Sequence, residues 1–210
     1  MISLEEYLQD PCGSLSIPLW KWRSMTVPPD MKILHDRDFS TDTGSGYTEE
    51  RYFRLYHPLD SVITVKAGGF SIRTAEREDI PEIVKIINES YGDISVSVDQ
   101  ITAWTSARVY IPELWIIAED PETGKAAGCA IAGLDSEAGE GILEWVQVLP
   151  DYRRHGIGRM LVTELLLRIQ GKARFATVSG RCDNESNPEK LYRSCGFQGS
   201  DVWHIMRRTE

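Results

Sequence analysis

The sequence predicts an α+β fold of the three-layer type, with one mixed, mostly antiparallel sheet flanked by helices. From Phe70 onward, short apolar runs typical of strands alternate with helical patterns. Residues 1 to 68 are instead irregular and rich in Pro, Trp and acidic residues. A boundary near Ala67-Gly68-Gly69 therefore predicts an N-terminal extension over 1–68 and a main domain over 69–210.

The first half of the main domain reads as strand, helix, helix and three strands. Residues 70–75 alternate like a strand, and the acidic first turn and early proline at 78–81 begin a helix. Ser97 could cap a shorter helix over 100–109. Residues 114–120 form an apolar run typical of a buried strand, and the segments 126–135 and 141–148 predict a hairpin.

The second half contains the clearest helix. Between Gly158 and Ile169, apolar residues that include Met160 and Leu165 form one broad face, and Gly171 ends the helix. A strand over 173–180, a short helix opened by Asn187-Pro188 and a final strand over 202–208 follow.

The extension has weaker patterns. Its residues 4–10 suggest a helical turn, and the segments LSIPLWKWR and MKILHDRDF are each compatible with a short strand. Its tryptophans and tyrosines imply that it packs against something. It is interpreted either as a brace across the main sheet or as a lid over a substrate.

Composition and charge bound the function. Hydrophobic residues make up 41% and charged residues 26%, as in ordinary globular proteins. The net charge of −9 argues against nucleic acid and would attract a cationic amine, unless it serves only solubility. No apolar stretch approaches a membrane span of about 20 residues, and no signal peptide is seen, so the expected compartment is the cytoplasm.

The four cysteines do not suggest a site. Cys12, Cys129, Cys182 and Cys195 show no CxxC spacing, so neither a zinc site nor a redox pair is indicated. They are expected to be reduced thiols.

The segment 146–161 has the character of an anion site. A strand runs into a turn containing Gly156 and Gly158 and then directly into a helix, whose first N–H groups lack partners and carry the positive end of the dipole. Arg153, Arg154 and Arg159 add charge suited to a polyanion. The alternative is an ordinary tight turn, but the Walker A lysine and the third glycine of the dinucleotide fingerprint are both absent.

This segment resembles the acyl-CoA motif of the GCN5-related N-acetyltransferases, Gln/Arg-x-x-Gly-x-Gly/Ala, which residues 153–158 match in full. Downstream, LYRSCGF at 191–197 resembles the late Leu-Tyr-x-x-x-Gly-Phe signature of that family. The resemblance covers about residues 69–210. It leaves the extension unassigned.

The resemblance implies the donor, acetyl-CoA. In such enzymes the strand before the motif splays from its neighbour at a bulge, and its backbone, here near Gln147 and Val148, pairs with pantetheine. Backbone amides and side chains of the turn would hold the pyrophosphate, and a late asparagine would contact pantetheine; Asn184 and Asn187 are both candidates. The residues expected at the pyrophosphate are Arg153, Arg154, His155, Gly156, Ile157, Gly158 and Arg159.

Two residues are expected to carry the chemistry. Tyr192 matches the general acid of the family, and a phenol has a pKa close to that of a thiol. Glu144 is the candidate base, because strict alternation puts this carboxylate on the same face as Ile142 in an apolar strand. Alternatively, Tyr192 only packs in the core and Glu144 faces solvent or an ion-pair partner.

Other residues are weaker candidates. His155 could hydrogen-bond the cofactor, whereas His204 is expected to be a core or edge histidine and His57 lies in the extension. The Tyr91-Gly92-Asp93 segment and Trp104 could touch the acceptor.

The predicted function is acetyl transfer to a primary amine of a small molecule or peptide, by direct attack on the thioester and without a metal. The alternative is a non-catalytic acyl-CoA binding or sensing module, and a longer acyl group or a hydroxyl acceptor also stays open. Dimers are common in the family, and the last strand, expected to be exposed at 202–208, could pair across a two-fold axis to form a homodimer.

Overall fold

The computed structural model describes residues 2–40, 44–65, 68–90 and 94–209. They form two compact units. Unit 1 combines Met1–His57 with Thr177–Glu210, and unit 2 is Pro58–Ala176. Unit 1 thus unites most of the predicted extension with the C-terminal end of the chain, and the division into 1–68 and 69–210 stays a prediction.

The helices and strands follow the predicted order through the main domain. In chain order they are α1 (Leu4–Gln9), α2 (Pro11–Ser14), α3 (Leu19–Ser24), β1 (Met31–His35), β2 (Tyr47–His57), β3 (Ser71–Thr74), α4 (Ile80–Ser90), α5 (Val98–Trp104), β4 (Tyr110–Glu119), β5 (Ala126–Asp135), β6 (Glu140–Val148), α6 (Ile157–Ile169), β7 (Phe175–Arg181), α7 (Pro188–Ser194) and β8 (Gln198–Arg208). The predicted α+β class is confirmed.

One prediction in the extension was wrong. The segment LSIPLWKWR does not form a strand, because Leu19–Ser24 are helical. Pro18 stands at the N-cap with φ −55° and ψ 147°, and its ring sets the dihedral from which a helix can start. Alternating apolar and polar residues on both sides of a proline therefore did not mean a strand here.

Unit 2 has three layers. Its strands run antiparallel in the order β6-β5-β4-β3. Gly128 on β5 approaches Leu161 of α6, while its neighbour Cys129 belongs to the apolar cluster formed with Ile83 of α4 and Ile101 of α5. Since adjacent strand residues point to opposite faces, α6 covers one face of these strands and α4 with α5 the other.

A β-bulge interrupts β6. Trp145 lies opposite Ile131 on β5, but Leu143 lies opposite the next residue, Ala132, so Glu144 is an extra residue inserted into β6 at this point of the ladder. Strict alternation along β6 therefore ends at this point, and the prediction that Glu144 shares a face with Ile142 stays a prediction. Ile142 and Val146 lie opposite Gly133 and Ala130 respectively, and they consequently face opposite sides of the sheet.

In unit 1 the strands lie in the order β1-β8-β2-β7. β8 pairs antiparallel with β1 on one side and with β2 on the other. The expectation that the last strand is an exposed edge was therefore wrong, because two strands of the extension occupy its two edges. Over residues 203–207, β8 therefore has no open edge through which it could pair with β8 of a second copy.

A buried arginine links the extension to the rest of unit 1. Arg54 of β2 is 1% exposed. Its guanidinium donates to the hydroxyl of Tyr7 at 3.0 Å, to the carbonyl of Pro11 at 3.3 Å and to Ser179 Oγ on β7 at 3.3 Å. A buried guanidinium is costly unless its donors are paired, so these partners must stay in place.

The described ranges contain neither a candidate membrane span nor a candidate metal site. No helix there combines the length and apolar character that crossing a membrane requires. Nor do three histidine, cysteine or acidic side chains in those ranges group in a way that could hold a metal ion.

Candidate functional site in two parts

The predicted anion site lies in unit 2, where β6 leads through a 3-10 turn at Pro150–Tyr152 into α6. Arg154 and Gly156 both adopt left-handed backbone conformations, with φ of 69° and 82°. Gly156 is the N-cap of α6, and no side chain in the described structure caps this helix end. Left-handed residues in such a turn point successive N–H groups into one concavity, which favours an anion.

The start of α6 leaves hydrogen-bond donors for a ligand. Its first hydrogen bond to the preceding turn is from the N–H of Met160 to the carbonyl of Gly156, at 3.0 Å. The N–H groups of residues 157–159 precede that bond and have no carbonyl one helical turn earlier. In addition, Nε of Arg159 is buried without a partner among the described residues. A diphosphate fits this set, because it supplies only acceptors and negative charge.

Two side chains of the turn have structural partners. Arg153 donates from Nε to the carbonyl of Val148 at 3.2 Å and from Nη2 to that of Ser90 at 3.2 Å. This side chain therefore ties the turn to the end of β6 and the end of α4. His155 is exposed, with Nδ1 3.2 Å from the carbonyl of Tyr152.

Gln147 and Val148 close β6 just before the turn. Gln147 lies opposite Cys129, and Val148 lies opposite Gly128. A Cβ on Gly128 would come within 2.5 Å of the carbonyl oxygen of Gln147 and 3.3 Å of Val148 Cα. β5 thus approaches β6 closely at the residues expected to bind pantetheine, and glycine is required there.

Glu144, the candidate base, is the extra residue of the bulge and is half-buried. Its neighbour Trp145 stacks on Trp104, the last residue of α5, with ring centroids 5.7 Å apart and planes at 16°. Bulges often re-aim a side chain next to an active site. The family resemblance implied a bulge in this strand but did not place it at Glu144, and sequence reasoning missed Trp145, since a stack between distant residues leaves no local pattern.

Tyr192, the candidate acid, belongs to unit 1. It lies on α7, is 7% exposed, and its ring centroid is 5.8 Å from that of Phe197 and 6.2 Å from that of Phe53. The ring is therefore held in an aromatic cluster, as the packing interpretation expected. That packing is compatible with either role of the hydroxyl.

The two candidate asparagines also lie in unit 1. Asn187 adopts φ 50° and caps α7, its Oδ1 accepting from the N–H of Lys190 at 3.3 Å. This confirms that it caps its helix. Asn184 Oδ1 accepts from the N–H of Ser186 at 2.9 Å and from its hydroxyl at 2.7 Å. The choice between them as a pantetheine ligand stays a prediction.

The other histidines have structural partners. His204 is 3% exposed, with Nδ1 2.5 Å from Glu49 Oε1 and Nε2 3.0 Å from Asp36 Oδ1, and its ring stacks on Phe39. This confirms the expectation of a core histidine. His57 is 2% exposed, and its ring makes an edge-to-face contact with Phe197, with the ring centroids 5.2 Å apart.

The cysteines are free thiols, three of them buried. Burial, with a smaller contribution from the charge of Glu82, raises the pKa of Cys129 to about 12. A thiol this weakly acidic is a poor nucleophile at neutral pH. The Tyr91-Gly92-Asp93 segment, suggested as an acceptor contact, lies outside the described residues.

Comparison with known proteins identifies a domain and a fold. Residues 112–199 match the family described as acetyltransferase (GNAT) domain. The structure resembles a GCN5-related N-acetyltransferase from Sphaerobacter thermophilus, with TM-score 0.68 and 21% identity over 89% of this chain and 63% of that chain. The chain thus spans less than two thirds of that protein's length.

Two further structures share the fold. A GCN5-related N-acetyltransferase from Kribbella flavida gives TM-score 0.61 and 16% identity over 86% of this chain and 68% of that one. The ribosomal-protein-S18-alanine N-acetyltransferase from Escherichia coli gives TM-score 0.53 and 21% identity over 67% of this chain and 95% of that one. At these identities the likeness concerns the fold. No curated protein matches the sequence.

Proposed function

We propose, because residues 112–199 match the acetyltransferase (GNAT) domain family, that this chain is an acetyl-CoA-dependent N-acetyltransferase acting on a primary amine of a small molecule or peptide. The observation that carries the proposal is the uncapped start of α6, with Gly156 left-handed and Arg159 Nε buried without a partner among the described residues. A donor that bears a diphosphate would satisfy both.

In the proposed complex the turn binds the donor through backbone N–H groups of residues 154–159, with Arg154 and Arg159 adding charge. Gln147 and Val148 pair through their backbone with the pantetheine arm, as the family resemblance implies. Asn184 or Asn187 supplies a further contact. The bound group offers an activated acetyl thioester.

The reaction requires a neutral amine and a protonated leaving thiol. Glu144 takes a proton from the bound ammonium, directly or through a water molecule. The amine nitrogen then forms a bond to the acetyl carbonyl carbon as the carbon–sulfur bond breaks, and Tyr192 donates its hydroxyl proton to the departing sulfur. The nitrogen releases its second proton to solvent to give the amide, and solvent returns a proton to the phenolate of Tyr192. The products are an N-acetylated amine and free coenzyme A.

The proposed chemistry needs neither a metal nor an acyl-cysteine. The high pKa of Cys129 supports direct attack over transfer through that thiol. We also propose the cytoplasm as the compartment, since four free cysteines suit a reducing environment.

Release of free coenzyme A thiol from acetyl-CoA tests the proposal. The protein is assayed with polyamines, amino acids, aminoglycosides and peptide N-termini, and at least one amine is expected to release thiol above the background rate. Tight binding of acetyl-CoA by calorimetry with no turnover of any amine would instead support the non-catalytic acyl-CoA sensor.

Substitution of Gly156 by alanine tests the turn. A non-glycine residue in the left-handed conformation costs about 1–2 kcal/mol. Relief of this strain is expected to shift the turn away from the geometry that binds the donor, raising KM for acetyl-CoA about tenfold. Initial-rate kinetics at varied acetyl-CoA measure it.

Gly171 is the matched control for this experiment. It follows α6 with φ 79°, and a Cβ built there has no atom within 4 Å. Gly171→Ala should therefore lower Tm similarly and leave KM for acetyl-CoA unchanged. Equal KM values for both variants would contradict the assignment of the turn.

Glu144→Gln tests the base. An amide cannot take the ammonium proton at neutral pH, so kcat is expected to fall about 100-fold. Because the variant depends on amine already neutral in solution, its rate should rise with pH up to the pKa of the free amine, whereas the wild-type rate levels off earlier. Glu113→Gln, at an exposed position on β4, is the charge-matched control. Identical pH profiles of Glu144→Gln and wild type would rule out the base role.

A further inference from the structure

A row of large apolar side chains crosses one face of the sheet in unit 2. Trp115, Ile131 and Trp145 lie directly opposite one another on β4, β5 and β6, so their side chains share the face covered by α4 and α5. Trp104 of α5 stacks on Trp145, with the two ring centroids 5.7 Å apart. Both stacked tryptophans are half-buried and pack against the apolar cluster of that face.

The stack is next to the candidate base. Trp145 follows Glu144 directly, and the bulge places Glu144 between the ladder pairs Leu143–Ala132 and Trp145–Ile131. An indole face and a carboxylate are thus presented by adjacent residues. This combination suits an ammonium group, which is attracted both by an aromatic face and by a negative charge.

Three cations on or next to the helices and strands of this layer are engaged with carboxylates. Arg73 of β3 bonds Asp79 and Glu119. Arg108, after α5, bonds Asp135 at 2.8 Å, and Lys85 of α4 lies 3.3 Å from Glu82. A carboxylate on the acceptor would therefore be repelled by the carboxylate of Glu144, and these three cations, already paired, would not offset that repulsion. The charges favour an acceptor that carries an amine and no acid.

On the premise of the proposed function, we propose that Trp104 and Trp145 bind the acceptor and that this acceptor is an arylalkylamine, an ammonium carried on a flat apolar skeleton. A planar skeleton packs against the stacked indoles and removes apolar surface from water. The ammonium is then held near Glu144, the group that takes its proton. Hydroxyl-rich sugar amines and zwitterionic amino acids lose these contacts and gain desolvation costs.

The test compares phenethylamine, glycine, glucosamine and spermidine as acceptors for the wild-type protein and three variants. Trp104→Ala removes the stack, Trp104→Phe retains an aromatic face, and Trp22→Ala removes a tryptophan of α3 in unit 1. Initial rates give kcat and KM for each amine and for acetyl-CoA, and calorimetry measures phenethylamine binding to the protein loaded with coenzyme A. Thermal unfolding checks that each variant is folded.

Phenethylamine is expected to have the highest kcat/KM of the four. Trp104→Ala should raise its KM about tenfold, with kcat and the KM for acetyl-CoA little changed, while Trp104→Phe recovers most of the loss and Trp22→Ala has no effect. Faster turnover of glycine, glucosamine or spermidine would overturn the acceptor class and leave the proposed function intact.

Absence of turnover with every amine would contradict the proposed function, and calorimetry then decides the inference separately. Binding of phenethylamine that weakens in Trp104→Ala and not in Trp22→Ala supports an arylalkylamine site at the stack. Equal affinity in all variants, or no binding to the wild type, overturns it.

Discussion

Replacing Tyr192 by phenylalanine is expected to reduce kcat by about 100-fold to 10,000-fold, the range that a positioned general acid contributes. The phenol is the proposed source of the proton for the leaving thiolate. Without it, the sulfur must depart as an anion or take its proton from water. Because phenylalanine keeps the ring, the contacts with Phe53 and Phe197 should persist and the fold should survive.

Steady-state kinetics with an amine that the wild-type protein acetylates measure the loss of kcat. Calorimetry should show a Kd for acetyl-CoA within about threefold of wild type, a difference in binding free energy of less than about 1 kcal/mol. Tyr52→Phe is the matched control in the same unit, since it removes a hydroxyl that donates to Glu50 at 3.3 Å. Turnover of Tyr192→Phe equal to that of the control would refute the acid role and leave the tyrosine a packing residue.

Deleting residues 1–57 is expected to unfold unit 1, not merely to uncover a substrate site. β8 would lose both neighbouring strands, and Trp203 would lose the 2.8 Å hydrogen bond from its indole nitrogen to the carbonyl of Cys12. The buried side chains of Leu19, Phe53 and Leu55 would go as well. Together these three contribute about 5–9 kcal/mol, comparable with the whole stability of a typical domain, about 5–15 kcal/mol.

Hydrogen exchange of the β8 amides and thermal unfolding measure the effect. The truncated chain should exchange rapidly in β8 and aggregate, because two strand edges become exposed. Deleting residues 1–9 is the milder control: it removes α1 with the buried Tyr7 but leaves β1 and β2, so a lowered Tm with a protected β8 is expected. Protected β8 amides in the 1–57 deletion, with turnover abolished, would restore the lid interpretation.

Local features of the fold were predictable because their causes lie within a few residues. The helix from Ile157 to Ile169 follows from a continuous apolar face, and its start follows from two glycines and a charged turn. The cap at Asn187 is equally local, since an asparagine before a proline suits a helix start. These features carry the donor half of the proposed site.

Features that depend on partners distant in the chain could not be located from the sequence. The resemblance implied a bulge in β6, but its position at Glu144 depends on the register between β5 and β6, and period-2 alternation contains no sign of an inserted residue. The stack of Trp104 on Trp145 joins residues about forty positions apart. The position of β8 between β1 and β2 depends on strands at the opposite end of the chain.

By itself the sequence determined the α+β class, the order of elements in the main domain and the Gly-x-Gly turn, since propensity, periodicity and helix-end chemistry act over one or two turns of chain. Only the tertiary structure decided where β8 lies, that Glu144 is an extra residue in its ladder, and that two tryptophans stack beside it. Those outcomes arise from pairing register and side-chain packing between distant segments, for which a single sequence carries no periodic signal.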